Sequence, residues 1–337
     1  MNKIHSHQAF CILLLSGAWS VICIPVLYGS GQILGTAAAC LMQMLFCLPM
    51  LALRQESFSR LIQSQKWLGM IYLCFFLLCG AQGFAQLWEA APSQLLPSSG
   101  KFTAAVLIVL TCFYTSSSGL RATARCAPLV MSIFMISVLV LILGAWRRID
   151  VSRISWQKTG FWQSVRLYFS LSGELVAAWI LSDRIRGNRK TALHGYLTAK
   201  ACFCALILFL SITAGGRLIS LTGYPFFTLT ALSQPLQGQR ADALYILVFV
   251  MLYVIHTTLQ TGLVQHIAEL LYAAEEKWTA PVSLFLMVLM AWLMNNFLIQ
   301  DMIIIIQPVL FFIIPLVLRI RQFTQTIRKK EHSHEAF

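Results

Sequence analysis

The chain has 337 residues, 58% of them hydrophobic and only 11% charged, with a formal net charge of +13. That composition excludes a water-soluble domain, and basic residues placed between apolar blocks exclude a nucleic-acid partner, because Lys and Arg there set membrane topology. With no Walker loop, GxSxG elbow or HExxH motif, the sequence supports neither catalysis nor a bound metal, and no cofactor is expected.

In chain order the apolar residues gather into ten blocks of spanning length: Phe10–Tyr28, Ile33–Leu53, Leu68–Trp88, Phe102–Ser117, Cys126–Trp146, Phe161–Leu181, Leu197–Ala214, Ala243–Val264, Pro281–Leu298 and Ile303–Leu318. The expectation is an all-α integral membrane protein of about ten transmembrane helices, one domain over residues 1–318 with a polar tail over 319–337. The first block lacks a small-x-small cleavage site and is followed by a second span after a short Gly-rich link, so it reads as a span rather than a signal peptide. With the N-terminus inside, sixteen Lys and Arg residues fall on cytoplasmic segments and seven outside. Both termini are therefore expected in the cytoplasm, with the basic tail residues Arg328, Lys329 and Lys330 held near anionic lipid. The ten cysteines lie within or beside the blocks without a CxxC pair, and read as small packing residues.

The blocks divide five and five, about 10–146 and about 161–318, and inverted-repeat transporters interrupt the first helix of each set. Block one carries Gly17, Ala18, Trp19 and Ser20 at its centre and Pro25 beyond; block six carries Ser170, Ser172, Gly173 and Glu174. A carboxylate in mid-span costs about 2 to 4 kcal/mol, so Glu174 is expected to face protein or a watery cavity. Gly173 and the two serines suit a helix that opens there. Two such breaks would offer backbone amides and carbonyls to the ends of a small zwitterion.

On block three, Gln82 and Gln86 share a face. Block seven holds Lys200 near its cytoplasmic end, where a snorkelling side chain needs no further role. On block eight Tyr253, Thr257, Gln260 and Thr261, with His256 at the margin, form a polar stripe opposite Leu252, Ile255, Leu259 and Leu263. That stripe either lines a pocket or bonds to neighbouring helices, at about 0.6 kcal/mol per bond. Glu174 likewise either meets a ligand or proton, or only holds a kink. Residues 215–242 read as a short interfacial helix or helices; Asn295, Asn296, Gln300 and Asp301 read as a polar turn.

Three stretches together resemble the B subunit of the spore germinant receptors, the endospore germination permease family of the amino acid-polyamine-organocation superfamily. They are Gly119-Leu-Arg-Ala-Thr-Ala-Arg-Cys-Ala-Pro128 with Ile149-Asp-Val-Ser152; Ser172-Gly-Glu-Leu175 with the basic loop Arg184 to Lys190; and Tyr224-Pro-Phe-Phe227 with Gln239-Arg-Ala-Asp-Ala-Leu244. Gly17 to Pro25 and Phe169 to Glu174 are similar to the wider superfamily. The resemblance implies a LeuT-like 5+5 inverted repeat with broken helices 1 and 6. It also implies a small-molecule pocket for a nutrient, commonly an amino acid, between spans one, three, six and eight. Implied partners are an A subunit and a lipoprotein C subunit in the spore inner membrane. The candidate ligand residues are then Gly17, Ala18, Trp19, Ser20, Gln82, Ser170, Ser172, Gly173, Glu174, Tyr253, His256, Thr257 and Gln260. Superfamily transporters usually carry a glycine where Trp19 stands, and an indole there narrows or closes the pocket. Proton-coupled amino acid transport and a non-binding scaffold role are the alternatives.

Overall fold

The computed structural model describes residues 4–23, 30–53, 57–94, 101–154, 160–170, 172–216, 225–233, 242–272, 276–293 and 296–334. Pro25, Gly29, Tyr224, Asn295 and the run 239–241 therefore lie outside the described residues.

A hydrocarbon layer leaves backbone amides and carbonyls no partner but each other, so an apolar chain of this kind folds into helices. In order these are α1 (Ser6–Ile22), α2 (Ser30–Phe46), α3 (Leu48–Ala52), α4 (Ser57–Ser64), α5 (Lys66–Gln94), α6 (Lys101–Ser117), α7 (Gly119–Ala145), α8 (Phe161–Ser170), α9 (Glu174–Ser182), α10 (Arg189–Leu210), α11 (Pro225–Leu232), α12 (Asp242–Tyr272), α13 (Glu276–Leu293), α14 (Asn296–Pro308) and α15 (Ile314–His334). A π turn, Ser211–Gly215, extends α10, and another, Val309–Ile313, joins α14 to α15.

Among the described residues, six stretches are long and apolar enough to cross a membrane: Gly31–Ala52, Lys66–Glu89, Gly119–Arg148, Arg189–Gly215, Ala243–Tyr272 and Asp301–Thr324. Three shorter apolar helices, Ser6–Ile22, Val106–Ser117 and Trp278–Leu293, accompany them. The chain is thus an all-α, multi-pass membrane protein. Large apolar side chains such as Leu41, Leu45, Leu139, Leu143 and Phe285 point outward, as lipid-facing residues must.

At the centre stands α12, packed against α1, α5, α7 and α13. Its polar stripe and the opposite leucine face are both buried, from Leu252 and Tyr253 through Gln260, Thr261 and Leu263. From Ile255 to Ala268 every residue of α12 is buried, so the polarity of that stretch is an internal matter. Beside it α1 packs on α7, α10 and α12, and α2 packs on α8. Ahead of α1, β1 (Ile4–His5) pairs in parallel with β2 (Ile185–Arg186), Ile4 opposite Ile185. This ties the start of α1 to the basic loop after α9, where Arg184 also meets His266 and Glu269 of α12.

Three sequence expectations change. First, α1 runs without interruption through Gly17, Ala18, Trp19 and Ser20 and ends at Ile22, so helix 1 is not broken at Gly17. One glycine costs a helix only about 1 kcal/mol, which surrounding packing overrides. Second, the polar turn at Asn296, Gln300 and Asp301 is the first part of α14, with Asp301 ion-paired to Arg166 at 2.5 Å. Third, α10 begins at Arg189, well before the apolar block, because Asn188 caps it by accepting from the Thr191 amide. The tail helix α15 continues to His334.

Candidate functional site

Block six is interrupted: α8 ends at Ser170 and α9 starts at Glu174, with Ser172 and Gly173 between them. The side chain of Ser170 lies outside the described residues. Gly173 is required by close approach, since a Cβ there would stand 2.7 Å from Sγ of Cys79 on α5.

Ser172 is the knot of this junction. Its hydroxyl donates to the Tyr168 carbonyl at 2.7 Å, which leaves the oxygen free to accept. It accepts from Gln43 Nε2 of α2 at 2.9 Å and from Lys200 Nζ of α10 at 2.9 Å. Its carbonyl accepts from Gln307 Nε2 of α14 at 2.8 Å. At the break the Ser172 carbonyl is thereby satisfied from α14 and its hydroxyl oxygen from α2 and α10, as a membrane interior demands.

Lys200 does not snorkel. It is 2% exposed, and Nζ forms an ion pair with Oε1 of Glu174, itself fully buried. The early start of α10 sets eleven residues, some 16 Å of helix at about 1.5 Å each, ahead of Lys200, and its side chain turns inward to Ser172 and Glu174. Nζ also sits 5.2 Å from the centre of the Tyr168 ring. The pair rests directly on α1, because a Cβ on Gly17 would be 3.2 Å from Oε1 of Glu174 and 3.5 Å from Cδ of Lys200. Gly17 thus serves contact rather than unwinding. The hydroxyl of Tyr196, also on α10, stands in hydrogen-bonding reach of the Glu174 carboxylate.

A second cluster lies further along α1. The Trp19 indole is fully buried, 4.6 Å from the Phe249 ring and 5.1 Å from the Tyr253 ring by centroids. Phe227 of α11 closes on Phe249 at 4.8 Å. The space around the Trp19 indole is thus filled by aromatic packing. Ser16 Oγ hydrogen-bonds His256 Nδ1 at 2.9 Å, and Gly83 brings the α5 backbone close, since a Cβ there would be 3.0 Å from His256 and 3.7 Å from Trp19 Nε1. Cys79 links the clusters, touching the Gly173 position on one side and standing with its backbone in hydrogen-bonding reach of His256 on the other. A small cavity of about 10 Å³, room for one water, lies to the side, lined by Val21, Gln32, Thr36, Ser164, Tyr168 and Phe226.

The structure therefore brings Gly17, Ser172, Gly173 and Glu174 to one junction and Trp19, Tyr253 and His256 to a neighbouring one. Ala18 and Ser20 are buried on α1; Gln82 is buried on α5, and Thr257 and Gln260 on α12. Trp19 Nε1, Gln82 Nε2 and both amide atoms of Gln260 have no hydrogen-bond partner among the described residues, whereas Thr257 stands in hydrogen-bonding reach of Cys112 and Tyr253. Sequence reasoning missed Ser16, Gln43, Tyr168, Lys200 and Gln307. For Lys200 a signal existed: a lone cation three residues inside block seven, with a lone carboxylate in the block before it. Compared with known proteins, the chain matches no family model and no curated relative.

Proposed function

We propose that this chain is the permease-like membrane subunit of a spore germinant receptor, which binds a small nutrient such as an amino acid and passes the signal to partner subunits. On this reading the ten apolar blocks form a LeuT-like 5+5 repeat in the spore inner membrane, with both termini cytoplasmic. Its partners are an A-type and a lipoprotein C-type subunit, and its work is binding rather than catalysis.

The observation that carries it is the set of unpartnered buried groups on α1, α5 and α12: Trp19 Nε1, Gln82 Nε2 and the Gln260 amide. Each such group costs about 1 to 3 kcal/mol when buried unpaired. A unit built only to pack would replace them with apolar side chains, whereas a binding unit keeps them for a polar ligand. The aromatic plug at Trp19 favours a second reading, a scaffold that assembles with its partners without binding nutrient; proton-coupled transport is the third.

Binding and uptake of labelled amino acids by the purified chain in proteoliposomes, together with germination of spores lacking the gene, separate these. The receptor reading expects binding without flux and loss of one nutrient response on deletion. Flux that Glu174→Gln abolishes would make it a transporter. Binding by Trp19→Gly alone, with none by the parent chain, would make it a scaffold. Wild-type germination of the deletion strain to every amino acid would sink the receptor reading.

A further inference from the structure

The groups around Lys200 Nζ are of the kinds that recognise a primary ammonium ion. An R–NH3⁺ group has three donors and no acceptor. Here one N–H meets the Glu174 carboxylate, a second meets the Ser172 hydroxyl at 2.9 Å, and the charge lies 5.2 Å from the centre of the Tyr168 ring. The Ser172 hydrogen is committed to the Tyr168 carbonyl at 2.7 Å, so its oxygen presents lone pairs, not a hydrogen, to the cation. Carboxylate, hydroxyl acceptor and aromatic face are complementary to an ammonium in charge, direction and polarisability. All three groups come from the interrupted span: Tyr168 from α8, Ser172 from the gap, and Glu174 from the first position of α9. The cation comes from a different helix, α10.

We infer that Tyr168, Ser172 and Glu174 form a binding site for a primary ammonium group, and that Lys200 is its built-in occupant, tethered through α10. The occupant holds the two half-helices together and leaves no uncompensated charge at the break. The inference concerns the occupant of this junction and is independent of the nutrient reading. It makes a structural demand: when the occupant is shortened, a free amine of the right length takes its place.

Lys200→Ala removes Cγ, Cδ, Cε and Nζ, and n-propylammonium is the missing fragment, atom for atom. The test uses the full purified chain in detergent, with n-propylammonium, ethylammonium, tetramethylammonium and sodium chlorides at matched ionic strength. For Lys200→Ala the expected result is a rise in melting temperature of about 4 °C or more with n-propylammonium. Ethylammonium gives less, and tetramethylammonium, which has no N–H, gives none beyond sodium. The parent chain, whose site is filled, and the double variant Glu174→Gln/Lys200→Ala, whose site has lost its charge, show no selective rise. Equal stabilisation by all four salts, or the same selective rise in the parent or the double variant, would overturn the inference. If Lys200→Ala yields no folded protein, membranes are solubilised with and without n-propylammonium. Recovery only with the amine supports the site, and no recovery with it counts against it.

Discussion

Glu174, the first residue of α9, forms a fully buried ion pair with Lys200 of α10, twenty-six positions along the chain. Two charges that would each be costly alone in a membrane interior thus enter it together. A buried pair of this kind gains little over an apolar replacement, but breaking it by removing one partner leaves a bare charge.

The stability consequence is asymmetric. Lys200→Met is expected to lose about 3 to 5 kcal/mol, whereas Glu174→Gln/Lys200→Met loses far less because no charge is stranded. Unfolding in detergent, followed by denaturant titration, reads both. Equal losses in the single and double variants would mean that the pair is not buried as described.

Ser172 offers a prediction about hydrogen bonds. Ser172→Ala removes the acceptor shared by Gln43 Nε2 and Lys200 Nζ, and each buried donor left unpaired costs about 1 to 3 kcal/mol. Ser172→Ala should therefore destabilise the fold by more than Ser132→Ala, whose hydroxyl is exposed and bonds only within its own helix. Thermal melting of the two variants makes the comparison.

The approach of α5 to the break can be tested as a pair. Gly173→Ala would push a methyl group to within 2.7 Å of Cys79 Sγ, and overpacking of this kind costs about 1 to 3 kcal/mol. Cys79→Ala should relieve most of that cost, so the double variant is more stable than Gly173→Ala alone. Additive losses would show that the two residues do not touch.

Outside the membrane, Asp150 supplies a pH prediction. Its carboxylate is held below the ordinary range first by the Ser152 hydroxyl, at 2.6 Å from Oδ1, then by the Ser152 amide, with Arg153 adding less. A lowered carboxyl contributes stability that is present above its ordinary value near 3.8 and is lost as pH falls through the lower folded value. The Ser152→Ala variant should move the Asp150 midpoint upward in a carbon-13 NMR titration; an unmoved midpoint would assign the effect elsewhere.

Much of the architecture is legible in the sequence, because helix formation in a membrane follows from local apolarity alone. The interruption at Ser172 and Gly173, the burial of Glu174 and the helix at Pro225 all carry local signs. The continuity of α1 through Gly17 does not, since a glycine that permits close packing looks the same in sequence as one that breaks a helix. Nor does the depth of Lys200: the apolar block hides two earlier turns of α10, and the cap at Asn188 that starts them is weak evidence until the loop before it is seen.

Local composition is enough to establish a helical membrane protein in which one span bears a carboxylate needing a partner. The identity of that partner comes from the packing of distant helices. Gln43, Lys200 and Gln307 reach the break from three helices far apart in the chain, and Trp19 fills the neighbouring space against Phe249 and Tyr253. Those pairings depend on how helices rotate and slide against each other. Local periodicity fixes which face of a helix is polar, while the partner of that face is set by packing all the helices at once.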